Sequence, residues 1–222
     1  MENQQPTAAE NFHKQAEAYL AQRKLDEAIA SCELAIKIEP TYAPPYKTLG
    51  NILQGKGQLD LAENWYKKAI EIKSDWPEVY ANLGSIYAKK GEWQKAVDFF
   101  QKAISIKPDF AGAYRNLARV WELAGNHDKA IESQYQALNL EPEKARFEEH
   151  LNLGDELIKK RQINLAISCY RNAIKVNEKS AAAYQKLGEA LKREGKLDEA
   201  TVCYRRAIEL NAISSGETLG DR

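Results

Sequence analysis

The chain has 222 residues, 44% of them hydrophobic, which is enough for a substantial core and excludes a disordered polymer. Its 32 Lys and Arg balance 32 Asp and Glu, so no global field exists to gather nucleic acid or an anionic membrane; only a local patch could. Cys32, Cys169 and Cys203 form neither a CxxC nor a metal cluster with His13, His127 or His150, so a disulfide framework and a metal centre are not expected.

The opening residues MENQQPTAAENF hold no basic or apolar signal region, and no apolar run reaches bilayer-spanning length. The expectation is a soluble cytoplasmic chain with a polar tail over 1–8. From residue 9 a period takes over. YKTLG (Tyr46 to Gly50), YANLG (Tyr80 to Gly84), YRNLA (Tyr114 to Ala118), HLNLG (His150 to Gly154) and YQKLG (Tyr184 to Gly188) align with one another. Ala28, Ala62, Ala96, Ala130, Ala166 and Ala200 keep step, as do Ala35, Ala69, Ala103, Ala137, Ala173 and Ala207. The spacing predicts a single array of six units, over 9–42, 43–76, 77–110, 111–144, 147–180 and 181–214, followed by a polar tail over 215–222.

In the third unit, Tyr80, Leu83, Gly84 and Tyr87 fall on one face of a helix, and Ala96, Phe99, Phe100 and Ala103 repeat the pattern on a second. Gly57, Gly91, Gly125 and Gly195 mark the turn between the two helices, and Pro40, Pro108 and Pro142 stop the second. A lone pair could not bury its apolar face, so the units must stack. The two extra residues before the fifth unit, Ala145 and Arg146, read as a slightly longer turn. Cys32, Cys169 and Cys203 read as buried small hydrophobes, His150 as a packing residue, and His13 and His127 as surface residues. Glu148 and Glu149 sit where they face a helix N-terminus. With no phosphate loop, nucleophile elbow or HExxH, no catalytic residue and no cofactor is expected.

These residues resemble the tetratricopeptide repeat family. Tyr80, Leu83, Gly84, Tyr87, Ala96, Phe100, Ala103 and Pro108 match its whole pattern. Departures are Gln15 and Ala16 for Leu-Gly, Gln134 for the second-helix aromatic, and Ser74, Glu178 and Ala212 for the closing Pro. The resemblance implies an all-α, right-handed α-α superhelix whose first helices line a concave surface for partner segments.

Asn82 lies ~150° from the centre of its helix's apolar stripe, so its amide is expected off the packing seam. By the family mapping, the inner surface presents Lys47, Thr48 and Asn51, then Asn82, Ser85 and Lys89, then Arg115, Asn116 and Arg119, then Asn152, Asp155 and Lys159, then Lys186, Glu189 and Lys192. Asn82, Asn116 and Asn152 recur at one position, similar to the asparagine ladder of O-linked N-acetylglucosamine transferase, and a side-chain amide can bracket a peptide group of an extended chain. Lys47, Asn51 and Asn82 also match part of the carboxylate clamp of chaperone-binding members, but Gly112 and Asn116 stand where its last Lys and Arg belong. The resemblance implies a scaffold for an extended protein segment, with a basic centre favouring an acidic or carboxylate-bearing one. Two alternatives stand beside it: the substrate-selecting segment of a larger, glycosyltransferase-like enzyme, and an adaptor whose uncapped edge at Ile208, Leu210 and Ile213 pairs with another copy. Glu10, Glu17, Glu78, Asp155 and Glu189 interrupt any basic track for nucleic acid.

Overall fold

The structure, a computed structural model, describes residues 6–215. Each sequence repeat becomes two helices: α1 (Ala8–Ala21) and α2 (Leu25–Ile38), α3 (Pro44–Gly55) and α4 (Leu59–Ile72), α5 (Pro77–Lys89) and α6 (Trp93–Ile106), α7 (Ala111–Leu123) and α8 (His127–Leu140), α9 (Phe147–Lys159) and α10 (Ile163–Val176), α11 (Ala181–Arg193) and α12 (Leu197–Ser215). Among the described residues there is no strand, and none of the helices is long and apolar enough to cross a membrane. The helices fall into two compact units, one ending at Val120 and the other beginning at Trp121, within α7.

In the first unit α1 packs on α2, α3 on α4 and α5 on α6, while α2 against α3 and α4 against α5 join the pairs. Ala16, Ala28, Cys32, Leu49 and Ile52 form one buried cluster, and Tyr46, Tyr66, Val79, Leu83 and Ile86 form the next. The second unit repeats the scheme around Leu153, Leu157, Ile167, Tyr170, Leu187 and Leu191. Burying such apolar side chains contributes about 1.5 to 3 kcal/mol each, and each cluster draws on more than one repeat, which is why a solitary pair would not hold.

The turn inside each pair is fixed by backbone chemistry. The N–H groups of Lys24, Gln58, Glu92, Asn126, Gln162 and Lys196 each reach the carbonyl five residues back, the closing bond of a Schellman motif. That motif needs a left-handed residue, supplied by Gly57, Gly91, Gly125 and Gly195 at φ +76° to +84°, whereas Arg23 and Arg161 adopt φ 61° and 59° despite their side chains. The second helices end alike whether or not proline follows: Glu39, Lys73, Lys107, Glu141 and Asn177 each donate their N–H to the alanine carbonyl four residues earlier. Proline therefore reinforces a stop that the backbone already makes.

The small residue of each first helix faces a side chain of the second. A Cβ on Gly50 would lie 2.4 Å from Cε1 of Tyr66, and one on Gly154 would lie 2.4 Å from Cε1 of Tyr170. Where the first helix carries alanine, the register sets a non-aromatic residue opposite: Cys32 for Ala16 and Gln134 for Ala118.

The extra residues before the fifth repeat sit in extended backbone after a 3-10 turn over Pro142–Lys144. His150, fully buried, donates from Nε2 to the Pro142 carbonyl at 2.9 Å and ties α9 to that turn, while Arg146 and Glu149 cap the helix start. All three cysteines are buried, and burial pushes the thiols of Cys32 and Cys169 up to about 12, away from redox reactivity.

One sequence expectation is corrected here. His127 is exposed beside Glu122, but His13 is only 8% exposed. Its Nε2 lies 2.9 Å from Oγ1 of Thr48, which itself donates to the Pro44 carbonyl, so the imidazole Nε2–H is the donor that joins α1 to α3. Helix period alone misses this because the cover comes from the next repeat. Burial lowers the pKa of His13 below 6.5, with Glu17 opposing and Lys47 adding to the shift. An unfolded chain therefore takes up a proton before the folded one. The contact contributes fully above pH 6.5 and weakens as pH falls toward the depressed folded value. Denaturant melts between pH 7.5 and 5.5 should show falling stability that flattens in His13→Gln; an unchanged slope would remove His13 from this role.

Candidate functional site

Asn82 projects from α5 away from the packed stripe of Leu83, Ile86 and Tyr87, and is half-buried. Its Nδ2 donates to Oδ1 of Asn51 on α3 at 3.0 Å, a direct bond between first helices of consecutive repeats. The same Asn51 oxygen lies 2.7 Å from the hydroxyl of Tyr66, which is also 2.8 Å from Oε1 of Gln54. Tyr66 comes from α4; its ring passes flat over Gly50 and delivers the hydroxyl to the first-helix side. Burial raises its pKa, with the Asn82 amide opposing, so the phenol stays a neutral donor.

The second unit builds the same rung from other residues. The hydroxyl of Tyr170 donates to Oδ1 of Asp155 at 2.8 Å, and Lys186 holds both oxygens of that carboxylate at 2.7 and 2.8 Å. In register, Asp155 replaces Asn51 and Lys186 replaces Asn82, so a neutral amide pair and an ion pair serve one geometry. The third repeat has Phe100 in place of the tyrosine, and Ser85, in register with Asn51, bonds back to the Ala81 carbonyl. Asn116 is half-buried there and has no hydrogen-bond partner among the described residues.

The remaining expected site residues are distributed as follows. Lys47 is half-buried with Nζ 4.8 Å from the centre of the Trp76 ring. Lys89, Arg115 and Arg119 are exposed in the first unit, and Asn152 is exposed on α9 in the second. Tyr66, Gln54 and Tyr170 were absent from the sequence-derived set. The signal for the tyrosines was available: a tyrosine at a position that phenylalanine also fills carries a hydroxyl that must find a partner when buried.

Models described as tetratricopeptide repeat match residues 9–42, 77–110 and 181–213, and one described as TPR repeat matches 50–91 and 154–195, together more than half of the chain. The chain belongs to the tetratricopeptide repeat (TPR) family. Its helix pairs are those of a TPR α-α superhelix. Among solved structures, PilF of Pseudomonas aeruginosa is 19% identical, the match covering 95% of this chain and 98% of that one at a TM-score of 0.61. A MamA double mutant is 19% identical over 77% and 94% of the two chains, with a TM-score of 0.61. YrrB, described as a TPR protein with an unusual peptide-binding site, is 22% identical over 81% and 91%, with a TM-score of 0.54. At these identities the likeness concerns the TPR fold alone. No curated protein sequence matches the chain. The TPR repeats support a protein-interaction scaffold.

Proposed function

We propose that the first-helix faces of this scaffold hold an extended segment of another protein, through the amides of Asn82 and Asn116 in the first unit and Asn152 in the second. The observation that supports this reading is the bond of Asn82: its amide lies off the packed stripe of its own helix and reaches the first helix of the preceding repeat at Asn51. Its Nδ2 is engaged by Asn51, leaving the carbonyl oxygen to accept from a ligand, whereas Asn116 keeps both donor and acceptor. Lys89 and Arg119, exposed beside them, favour an acidic or carboxylate-bearing segment over a basic one. A scaffold already folded before binding confines the entropic loss to the ligand. The same surface would serve a substrate-selecting role beside a catalytic domain.

The test is a displayed library of extended peptides selected on the wild-type chain. The triple variant Asn82→Ala, Asn116→Ala, Asn152→Ala should bind the selected peptides about 10- to 1,000-fold more weakly, from contacts of ~0.5 to 1.5 kcal/mol each. Helicity should be retained, with a stability loss of about 1 kcal/mol from the Asn82 to Asn51 bond alone. Equal affinity of the triple variant would discard the reading.

A second reading, pairing with another copy, rests on α12. Of the expected edge, Ile208 is 62% exposed, although Ile36, Ile70, Ile104 and Ile174, its equivalents, are half-buried, and Ile213 is 70% exposed, whereas Leu210 is buried in the helix packing; Val202, at 65%, joins the exposed set instead. Light scattering should then show a concentration-dependent dimer that Ile208→Glu abolishes; a monomer at all concentrations would end this reading.

A further inference from the structure

The second unit holds a cavity of about 650 Å³ between α8 and α10, with Leu157 of α9 at its base. The register explains why it is open. At the equivalent junction of the first unit, Tyr87 of α5 stacks on Phe99 of α6, with ring centres 5.2 Å apart, and its hydroxyl reaches Glu63 of α4 at 2.6 Å. Leu157, Cys169 and Ile131 occupy the three corresponding places. Two aromatic rings are thus replaced by smaller side chains, and an apolar floor of Ile131, Leu157 and Leu165 is left uncovered on one side.

The charges at the mouth are not equivalent. Lys160 is paired with Asp128, and Lys129 sits with Nζ 4.3 Å from the centre of the Trp121 ring. Glu132 is exposed, lines the cavity and has no partner among the described residues; the side-chain amides of Gln136 and Gln162 are likewise unpartnered there. Half-buried Tyr135 supplies an aromatic surface one helical turn from Glu132. The lining therefore offers an apolar base, one carboxylate that makes no ion pair among the described residues, two amide oxygens and a ring, with the Lys129 charge drawn to the Trp121 face.

We propose that this cavity receives an arginine side chain presented by a protein partner. The aliphatic stem would cover the leucine and isoleucine floor, and the guanidinium would meet Glu132, Gln136 and Gln162 with its fan of five N–H donors while lying against Tyr135. An ammonium, a point charge with three donors, uses such spread acceptors less well. The volume is within the range of ordinary ligand pockets, roughly 300 to 1,000 Å³. This site is separate from the first-helix amides and does not depend on them.

Titration of the intact chain with N-acetyl-arginine methylamide, followed by protein NMR, tests the assignment. Saturable shifts at the amides of Ile131, Tyr135 and Leu165 are expected, weakened at least tenfold by Glu132→Gln, and absent with the N-acetyl-norleucine methylamide that keeps the stem and lacks the charge. Leu157→Phe should close the floor and remove binding; because Leu157 is fully buried and that variant can misfold, the exposed Glu132→Gln carries the decision. Equal shifts in Glu132→Gln, equal shifts with the norleucine probe, or no saturation would overturn the proposal. Benzamidine binding where the arginine probe does not would overturn it too, by assigning the cavity to a free aromatic cation.

Discussion

Replacing Gly50 with alanine is expected to destabilise the first unit by about 2 kcal/mol, against the usual direction of such a change in a helix. Helix propensity alone would favour alanine by ~1 kcal/mol. The new Cβ, however, would lie 2.4, 2.6 and 2.9 Å from Cε1, Cδ1 and Cζ of Tyr66, well inside contact distance. Tyr66 cannot swing aside cheaply, since it is fully buried and its hydroxyl is held at Asn51 and Gln54. Gly84→Ala is the control: its Cβ would meet Phe100 at 3.0 Å, and that ring has no hydroxyl to hold it. Urea melts should rank Gly50→Ala well below Gly84→Ala, and hydrogen exchange should place the loss in α3 and α4. The double variant Gly50→Ala, Tyr66→Cys copies the Ala16 and Cys32 pair of the first repeat, and should lose less than the sum of its single changes. Equal melting of both glycine variants would mean that the ring yields freely.

The second large effect is expected at Glu63. This carboxylate, only 13% exposed, accepts from the Tyr87 hydroxyl at 2.6 Å and pairs with Lys90 at 2.6 Å and Lys67 at 2.7 Å, joining α4 to α5. Burial by itself would raise its pKa, but the hydrogen bonds from Lys67, Lys90 and Tyr87 outweigh that and bring it down to about 2 from 4.5. The folded state therefore holds its proton less tightly than the unfolded chain. The stabilisation is complete above pH 4.5 and is lost as pH falls toward 2. Glu63→Ala should cost about 2 to 3 kcal/mol at neutral pH, because hydrogen bonds to a charge are lost and a hydroxyl and two cations are left without their acceptor. Glu63→Gln should cost less, and should remove this part of the acid sensitivity between pH 4.5 and 2. An acid limb of identical steepness in Glu63→Gln would assign that sensitivity to other carboxylates. The His13 effect, starting at pH 6.5, lies in a different window, so the two separate in one titration.

The helix pairs were legible in the sequence because their causes are local and periodic. Alanines one repeat apart, glycine after four of the first helices and, in most repeats, an aromatic opposite a small residue suffice to show where the chain turns and which helices pair. Even the departures followed local rules: alanine replaces glycine where the opposing residue is Cys32 or Gln134. The candidate surface was legible only in part. Asn82 was placed off the apolar stripe by helix geometry, but its bond to Asn51 and the arrival of Tyr66 beside them were not.

What the sequence determined by itself was thus the repeat, the helix pairing and the family, each encoded within roughly 34 residues. The tertiary structure decided which chemically equal positions differ: Asn82 bonded but Asn116 unpartnered, His13 buried but His127 exposed, a filled junction at Tyr87 but a cavity at Leu157. The physical reason is that period fixes the direction of a side chain on its own helix, whereas its partners come from the neighbouring repeat, where one substitution changes what is there to meet.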